Sequence, residues 1–134
     1  MKKMVKDKLE QLVIPDDSLD VFEAAHIRSR AEALAKRVVA HHDMPPSKDD
    51  LINRCREAEG VICILASSIF DRELIEKCPK MKIISVWAAG VNHVDIEAAK
   101  HFGVTVTFTP GYGAIGVAEH TLALMFTVAR DIPR

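Results

Sequence analysis

No apolar run in these 134 residues approaches the ~18 that would suggest a membrane span. Cysteine is scarce and odd in number. Cys55, Cys63 and Cys78 show no CxxC spacing, so reduced thiols in a cytoplasmic protein are expected rather than a disulfide framework. The basic start, Met1 to Lys8, runs into Leu9-Glu10-Gln11 and lacks the apolar region of a signal peptide. Neither sign of charge dominates: 18 Lys and Arg face 19 Asp and Glu, for a net charge of −1. That balance argues against nucleic acid or an anionic membrane as the main partner. Internal repeats and low-complexity stretches are missing too. What remains is ordinary for a globular chain, 49% hydrophobic and 28% charged, and long enough for one domain with a real core.

Short apolar runs alternate with helical patterns. Gln11–Ile14, Val38–His41, Val61–Leu65, Lys82–Val86 and Val104–Phe108 read as strands. Val61–Leu65 is apolar throughout, as expected of a parallel strand covered on both faces. Helices are expected over Leu19–Arg37 with Asp17 or Ser18 as cap, from Ser47 to Cys55, and from Asp71 to Lys77. Two more are expected from Asn92 or Asp95 to Phe102, with Gly103 at its end, and over Val117–Arg130. Met81 and Phe102 are read as core. The alternation predicts a doubly wound α/β domain with a five-stranded parallel sheet, whose ligands meet the loops at the strands' carboxyl ends. Three such loops stand out: Ala66-Ser67-Ser68, Trp87 to Asn92, and Thr109 to Gly113.

Gly111-Tyr112-Gly113-Ala114-Ile115-Gly116 matches the G-x-G-x-x-G dinucleotide fingerprint. A Rossmann unit also needs an acidic residue about 20 positions on, at the end of a second strand. Here that offset falls on Asp131, directly after a helix. The match is read as a coincidence of spacing, in a loop whose glycines let the backbone turn.

From about Val61 to Arg134 the chain resembles the D-isomer-specific 2-hydroxyacid dehydrogenases. The residues that carry the resemblance are Ala89-Gly90-Val91-Asn92-His93-Val94-Asp95 with Glu97-Ala98-Ala99 and Gly103-Val104. To these are added Thr109-Pro110-Gly111-Tyr112, Val117 to Leu124, and Cys78-Pro79-Lys80-Met81-Lys82. Before residue 61 only the order of elements matches. The resemblance implies a flavodoxin-like substrate domain over residues 1–108. Residues 109–134 would then be a hinge loop and the first helix of an NAD-binding domain absent from this chain. Pro110, Gly111, Tyr112 and Glu119 are placed at that junction. It further implies hydride transfer between NAD or NADP and a small 2-oxo or 2-hydroxy carboxylic acid. The family's catalytic Arg, Glu and His lie beyond Arg134, so no catalytic or cofactor-binding residue is assigned here. Neither a bound cofactor nor activity is expected of the chain alone.

The residues the resemblance does transfer are substrate-side. Backbone N–H groups around Ala89 and Gly90 would bind the carboxylate, because a glycine at a strand end lets the backbone approach and successive N–H groups form an anion nest. The plainer alternative is a glycine that only permits the turn into the next helix. Leu65, Ala66, Ser67 and Ser68 would face the substrate's side chain. Leu65 stands where phosphoglycerate-type members often carry arginine, which disfavours a phosphorylated substrate unless another basic residue compensates. Trp87 either lines the pocket or is simply packed. Asn92 is read as a helix cap, and His93 and His120 as surface or packing residues. His41-His42-Asp43 is discounted as a metal site, because neighbouring residues after a strand point apart.

The last helix is apolar nearly all round, the pattern of a helix buried on every side. Uncovered, it would favour a homodimer or a swapped arrangement through residues 117–130. Two functional readings follow: the substrate side of an NAD(P)-dependent 2-hydroxyacid oxidoreductase, or a non-catalytic α/β binding or assembly module.

Overall fold

The computed structural model describes residues 8–23 and 25–132; the basic start Met1–Asp7 lies outside them. Five strands form one parallel sheet: β1 (Leu9–Ile14), β2 (Ala35–Ala40), β3 (Gly60–Cys63), β4 (Ile83–Val86) and β5 (Thr105–Thr107). Their order across the sheet is β2-β1-β3-β4-β5, the flavodoxin-like arrangement. The connecting helices are α1 (Ala25–Leu34), α2 (Lys48–Cys55), α3 (Arg72–Lys77) and α4 (Ile96–His101), with α5 (Ala114–Arg130) after the last strand. Every strand pair is parallel, which needs a crossover connection between successive strands.

Strand alternation divides the core in two. Val13, Val61 and Cys63 point to one face, where they pack with Leu51, Ile52, Leu74 and Ala98 of α2, α3 and α4. Leu12, Ile14 and Ile62 point to the other, which among the described residues α1 and the 3₁₀ turn Val21–Glu23 cover, through Ala31 and Phe22. That second face keeps an open groove of about 630 Å³, lined among others by Leu9, Ile27, Leu34, Ile62 and Trp87. All four residues of β3 are buried, so the expectation of a strand covered on both sides holds.

Caps set the helix starts. Ser47 Oγ accepts from Asp50 N at 3.1 Å, Asp71 Oδ1 from Leu74 N at 3.1 Å, and Asp95 Oδ1 from Ala98 N at 2.8 Å. Gly103, at φ +73°, ends α4 in the left-handed conformation that glycine adopts freely.

Three expectations need correction. The helix expected over Leu19–Arg37 is shorter, and Ala35–Arg37 are strand. The pairing Leu9↔Ala35 and Gln11↔Arg37 outweighs the helical propensity of Ala-Lys-Arg. Phe102, read as core, is 38% exposed. Its ring lies against the Arg72 guanidinium and the edge of His101 rather than under the sheet. The last helix begins at Ala114, three residues before Val117, and takes Gly116 into its first turns.

Candidate functional site

The chain leaves β1 toward β2 on one side and returns to β3 on the other, so the direction of winding reverses between β1 and β3. In open α/β sheets ligands gather outside the carboxyl ends near such a switch. Here the gap directly at the switch holds a side chain of the protein itself. Asp16, fully buried at the end of β1, accepts from Ile64 N and Leu65 N, each at 3.1 Å. Asp17, also fully buried, accepts from Val21 N at 2.7 Å and Phe22 N at 3.0 Å and so caps the 3₁₀ turn. The role foreseen for Asp17 as a cap is met one turn earlier than α1. Pro15-Asp16-Asp17 read only as a turn, because nothing local announces a carboxylate whose partners lie nearly fifty residues away.

The neighbouring pair of strands, β3 and β4, also leaves exposed residues at this end of the sheet. β3 and β4 run side by side to Cys63↔Val86, and Trp87 N donates to Cys63 O at 2.9 Å. The two loops that follow, Leu65–Ser68 and Ala88–Asn92, therefore leave adjacent strand ends. Ala66, Ser67, Ala89 and Gly90 are partly or fully exposed and Leu65 is half-buried. Gly90 has no positive φ, and a Cβ built on it would meet nothing within 4 Å. Neither its own conformation nor its neighbours in the chain require a glycine there. Trp87 sits at the root of the loop, half-buried, with its ring centroid 6.4 Å from that of Phe22, and it lines the groove on the α1 face.

Two buried residues that carried no functional assignment in the sequence, Cys63 and His93, lie beneath these loops. Cys63 Sγ is 3.6 Å from Asp16 Oδ2 and 3.5 Å from His93 Nε2. His93 is buried, as a packing histidine should be, and burial holds its pKa below the ordinary imidazole value. Burial pushes the Cys63 thiol far up, which makes it inert as a nucleophile. Among the described residues, Ser68 Oγ is buried without a hydrogen-bond partner. Asn92 is not the cap of α4; Asp95 takes that place.

The fingerprint loop does not assemble a dinucleotide site. Gly111, at φ +73°, and Gly113 make the turn into α5, while Asp131 stands at the far end of that 17-residue helix. The helix separates them by about 25 Å, too far for a ribose-binding acid. Pro110, Gly111 and Tyr112 form an exposed turn, and Glu119 lies exposed on α5. None of the residues of α5 is buried.

Histidine does meet carboxylates at one corner, though not those of its sequence neighbours. His42 Nδ1 lies 2.7 Å from Asp20 Oδ1, and one ligand atom each from Asp17, Asp20 and His42 fall within 4.8 Å of one another. The Asp17 oxygens are already engaged by the two backbone amides and Asp20 by His42, so the group is a hydrogen-bonded corner that ties the β1 loop to the end of β2.

The family model for the catalytic domain of D-isomer specific 2-hydroxyacid dehydrogenases matches residues 16–130, beginning well before residue 61. Among curated proteins, a glyoxylate reductase of Thermofilum pendens is 38% identical over 97 residues, covering 71% of this chain and 28% of that protein. A D-3-phosphoglycerate dehydrogenase of Methanocaldococcus jannaschii is 35% identical over 88 residues, covering 66% of this chain and 17% of that protein. Among solved structures, the TT0316 protein of Thermus thermophilus is 31% identical, with a TM-score of 0.66 over 90% of this chain and 37% of that one. The D-lactate dehydrogenase of Aquifex aeolicus, solved with NAD and lactic acid, is 26% identical, with a TM-score of 0.67 over 87% and 33%. The chain thus spans less than a third of the length of the curated relatives it matches. With a matched stretch that takes in the buried β1 carboxylate, both loops and α5, this chain belongs to the D-isomer-specific 2-hydroxyacid dehydrogenase family.

Proposed function

We propose that this chain is the substrate-side portion of an NAD(P)-dependent oxidoreductase that interconverts a small 2-oxo acid and its D-2-hydroxy acid in the cytoplasm. Residues 1–108 are its substrate domain, and residues 109–134, with Pro110, Gly111, Tyr112 and Glu119, the junction toward a cofactor domain. The observation that carries this reading is Gly90, a glycine that nothing inside the chain demands, on an exposed loop beside a second exposed loop at the carboxyl end of a parallel sheet. A carboxylate approaching the N–H groups of Ala89 and Gly90 is what such an opening admits. Leu65, Ala66 and Ser67 then face the rest of the acid, and Trp87 closes the root of the pocket. Leu65 supplies no positive charge there, which favours an unphosphorylated acid. The cofactor, where present, supplies the hydride. No described residue of this chain is assigned to holding it, and no proton-transfer step is assigned to them.

Titration of the labelled chain with glyoxylate, followed by amide NMR, tests the reading. Shifts confined to Ala66, Ser67, Ala89 and Gly90 are expected, and an unchanged spectrum at these four would overturn it. The chain alone is expected not to oxidise NADH with glyoxylate, pyruvate or hydroxypyruvate.

A second reading, a non-catalytic binding or assembly module, draws on α5. Its large apolar side chains, Val117, Leu122, Met125, Phe126 and Val128, are 53–84% exposed. Such a surface favours a homodimer or a swapped pair through residues 117–130. Light scattering is expected to give a dimer mass; a monomer at every practical concentration rejects that association.

A further inference from the structure

We infer that Asp16, Cys63 and His93 are positioning residues: a buried hydrogen-bonded relay that couples the β3 loop to the β4 loop and holds the two at a fixed spacing. The relevance of this spacing to a bound acid rests on the substrate reading above; the coupling itself does not.

The relay starts just past β1. The Asp16 carboxylate accepts from Ile64 N and Leu65 N, the two amides at which β3 gives way to its loop. Cys63 Sγ stands between this carboxylate and the β4 loop, 3.6 Å from Asp16 Oδ2, 3.4 Å from Leu65 O and 3.5 Å from His93 Nε2. His93 directly follows the β4 loop (Ala88–Asn92), three residues past Gly90. Its carbonyl accepts from Phe70 N at 2.8 Å, and Phe70 O accepts from Asp95 N at 2.8 Å. Those two bonds pin the far end of the β3 loop to the same segment. The loops are thus joined twice, once through backbone on the outside and once through side chains underneath. Asp16 and Cys63 are fully buried and His93 nearly so.

Hydrogen-bond direction along the relay follows from the groups. A thiol gives one hydrogen and accepts on sulfur, and a carboxylate is the strongest acceptor within its reach. The Cys63 hydrogen goes toward Asp16 and Leu65 O, so sulfur is left as acceptor and His93 Nε2 carries the hydrogen. His93 is then a neutral imidazole with Nδ1 bare. A break at Cys63 removes the side-chain link beneath the β4 loop, leaves the backbone bridge at Phe70, and keeps both amide bonds of Asp16 in place. A break at Asp16 disturbs both loops.

Nitrogen-15 NMR of the imidazole ring in the unaltered chain reads the tautomer directly, with no dependence on a variant that folds. The Nε2–H form is expected, and the Nδ1–H form would overturn the relay. Cys63→Ala is expected to move the amide resonances of Ala89–Asn92 while those of Ile64 and Leu65 stay in place, and to weaken glyoxylate binding roughly fivefold or more. Cys63→Ser, which keeps a donor and an acceptor, is expected to restore both. Unmoved resonances at Ala89–Asn92 in a folded Cys63→Ala chain would refute the coupling. Relay signatures intact in a wild-type chain that gives no glyoxylate response would support the coupling and reject the substrate reading.

Discussion

Replacing Gly90 by alanine separates what the loop needs for folding from what it needs for binding. The native φ of Gly90 lies outside the left-handed region, and the new methyl meets nothing within 4 Å. No strain and no overlap then oppose the loss of unfolded-state freedom, so Gly90→Ala is expected to stabilise the chain by about 0.4–1 kcal/mol. At this chain length that is a rise in Tm of roughly 1–4 °C. If the open space above the backbone is where a carboxylate settles, the same methyl holds it off one or two N–H groups. Hydrogen bonds to a charged group contribute about 1.5–3 kcal/mol each, so glyoxylate affinity falls by roughly ten- to hundredfold. Urea denaturation gives the first number and amide titration the second. A loss of more than about 1 kcal/mol of stability would show that packing claims the glycine after all. Unchanged affinity with unchanged fold would refute its role at the carboxylate.

Gly60→Ala takes the opposite sign. Its Cβ would come 2.7 Å from Leu9 Cδ1 and 3.0 Å from Leu12 Cδ1, and overpacking of about 1–3 kcal/mol outweighs the backbone gain. The urea midpoint should drop, and Leu9→Ala in the same chain should recover much of the loss; a neutral Gly60→Ala would show that both leucines step aside. Asp95→Ala removes the side-chain cap of α4 and should cost about 1 kcal/mol by the same measurement, with no change counting against the cap. His93 is held below the ordinary imidazole value by burial, and His41 by burial and by Arg54. The unfolded chain therefore binds more protons below about pH 6.5, and stability contributed by these groups is lost as pH falls through that point. His42, raised by its hydrogen bond to Asp20, works in the opposite sense but is exposed and weak. In a His42→Gln chain the urea midpoint at pH 5.5 should lie below that at pH 7.5, and an equal or higher midpoint would contradict the burial of His93 and the partial burial of His41.

The sequence disclosed the sheet because its strands are short, apolar and bounded by caps and breakers. Ser47, Asp71, Asp95 and Gly103 act where their types suggest, since capping is a contact within one turn. Ala35–Arg37 misled for the opposite reason: their strand state comes from pairing with β1, a partner some twenty-six residues away. The site divides along the same line. The loops around Leu65 and Gly90 were visible as strand-end loops carrying family motifs. Asp16, Cys63 and His93 stand far apart along the chain, and no spacing rule brings them together; only the sheet order does. Phe102 looked buried because it is aromatic at a helix end, yet it rests on a guanidinium at the surface.

With none of its 17 residues buried, α5 is held by its own backbone hydrogen bonds. Most helical stability in proteins comes from tertiary packing, so α5 is expected to open at a lower free energy than the sheet. Its amides should exchange with solvent long before those of β3. Whatever comes to cover this helix must also hold it in helical form, and part of the contact energy goes into that ordering. Affinity at this surface is then set by helix propensity as well as by shape. Gly116, inside the helix with open space around it, becomes a control point: alanine there, worth about 1 kcal/mol of helix stability, tightens association without adding more than a methyl to the interface.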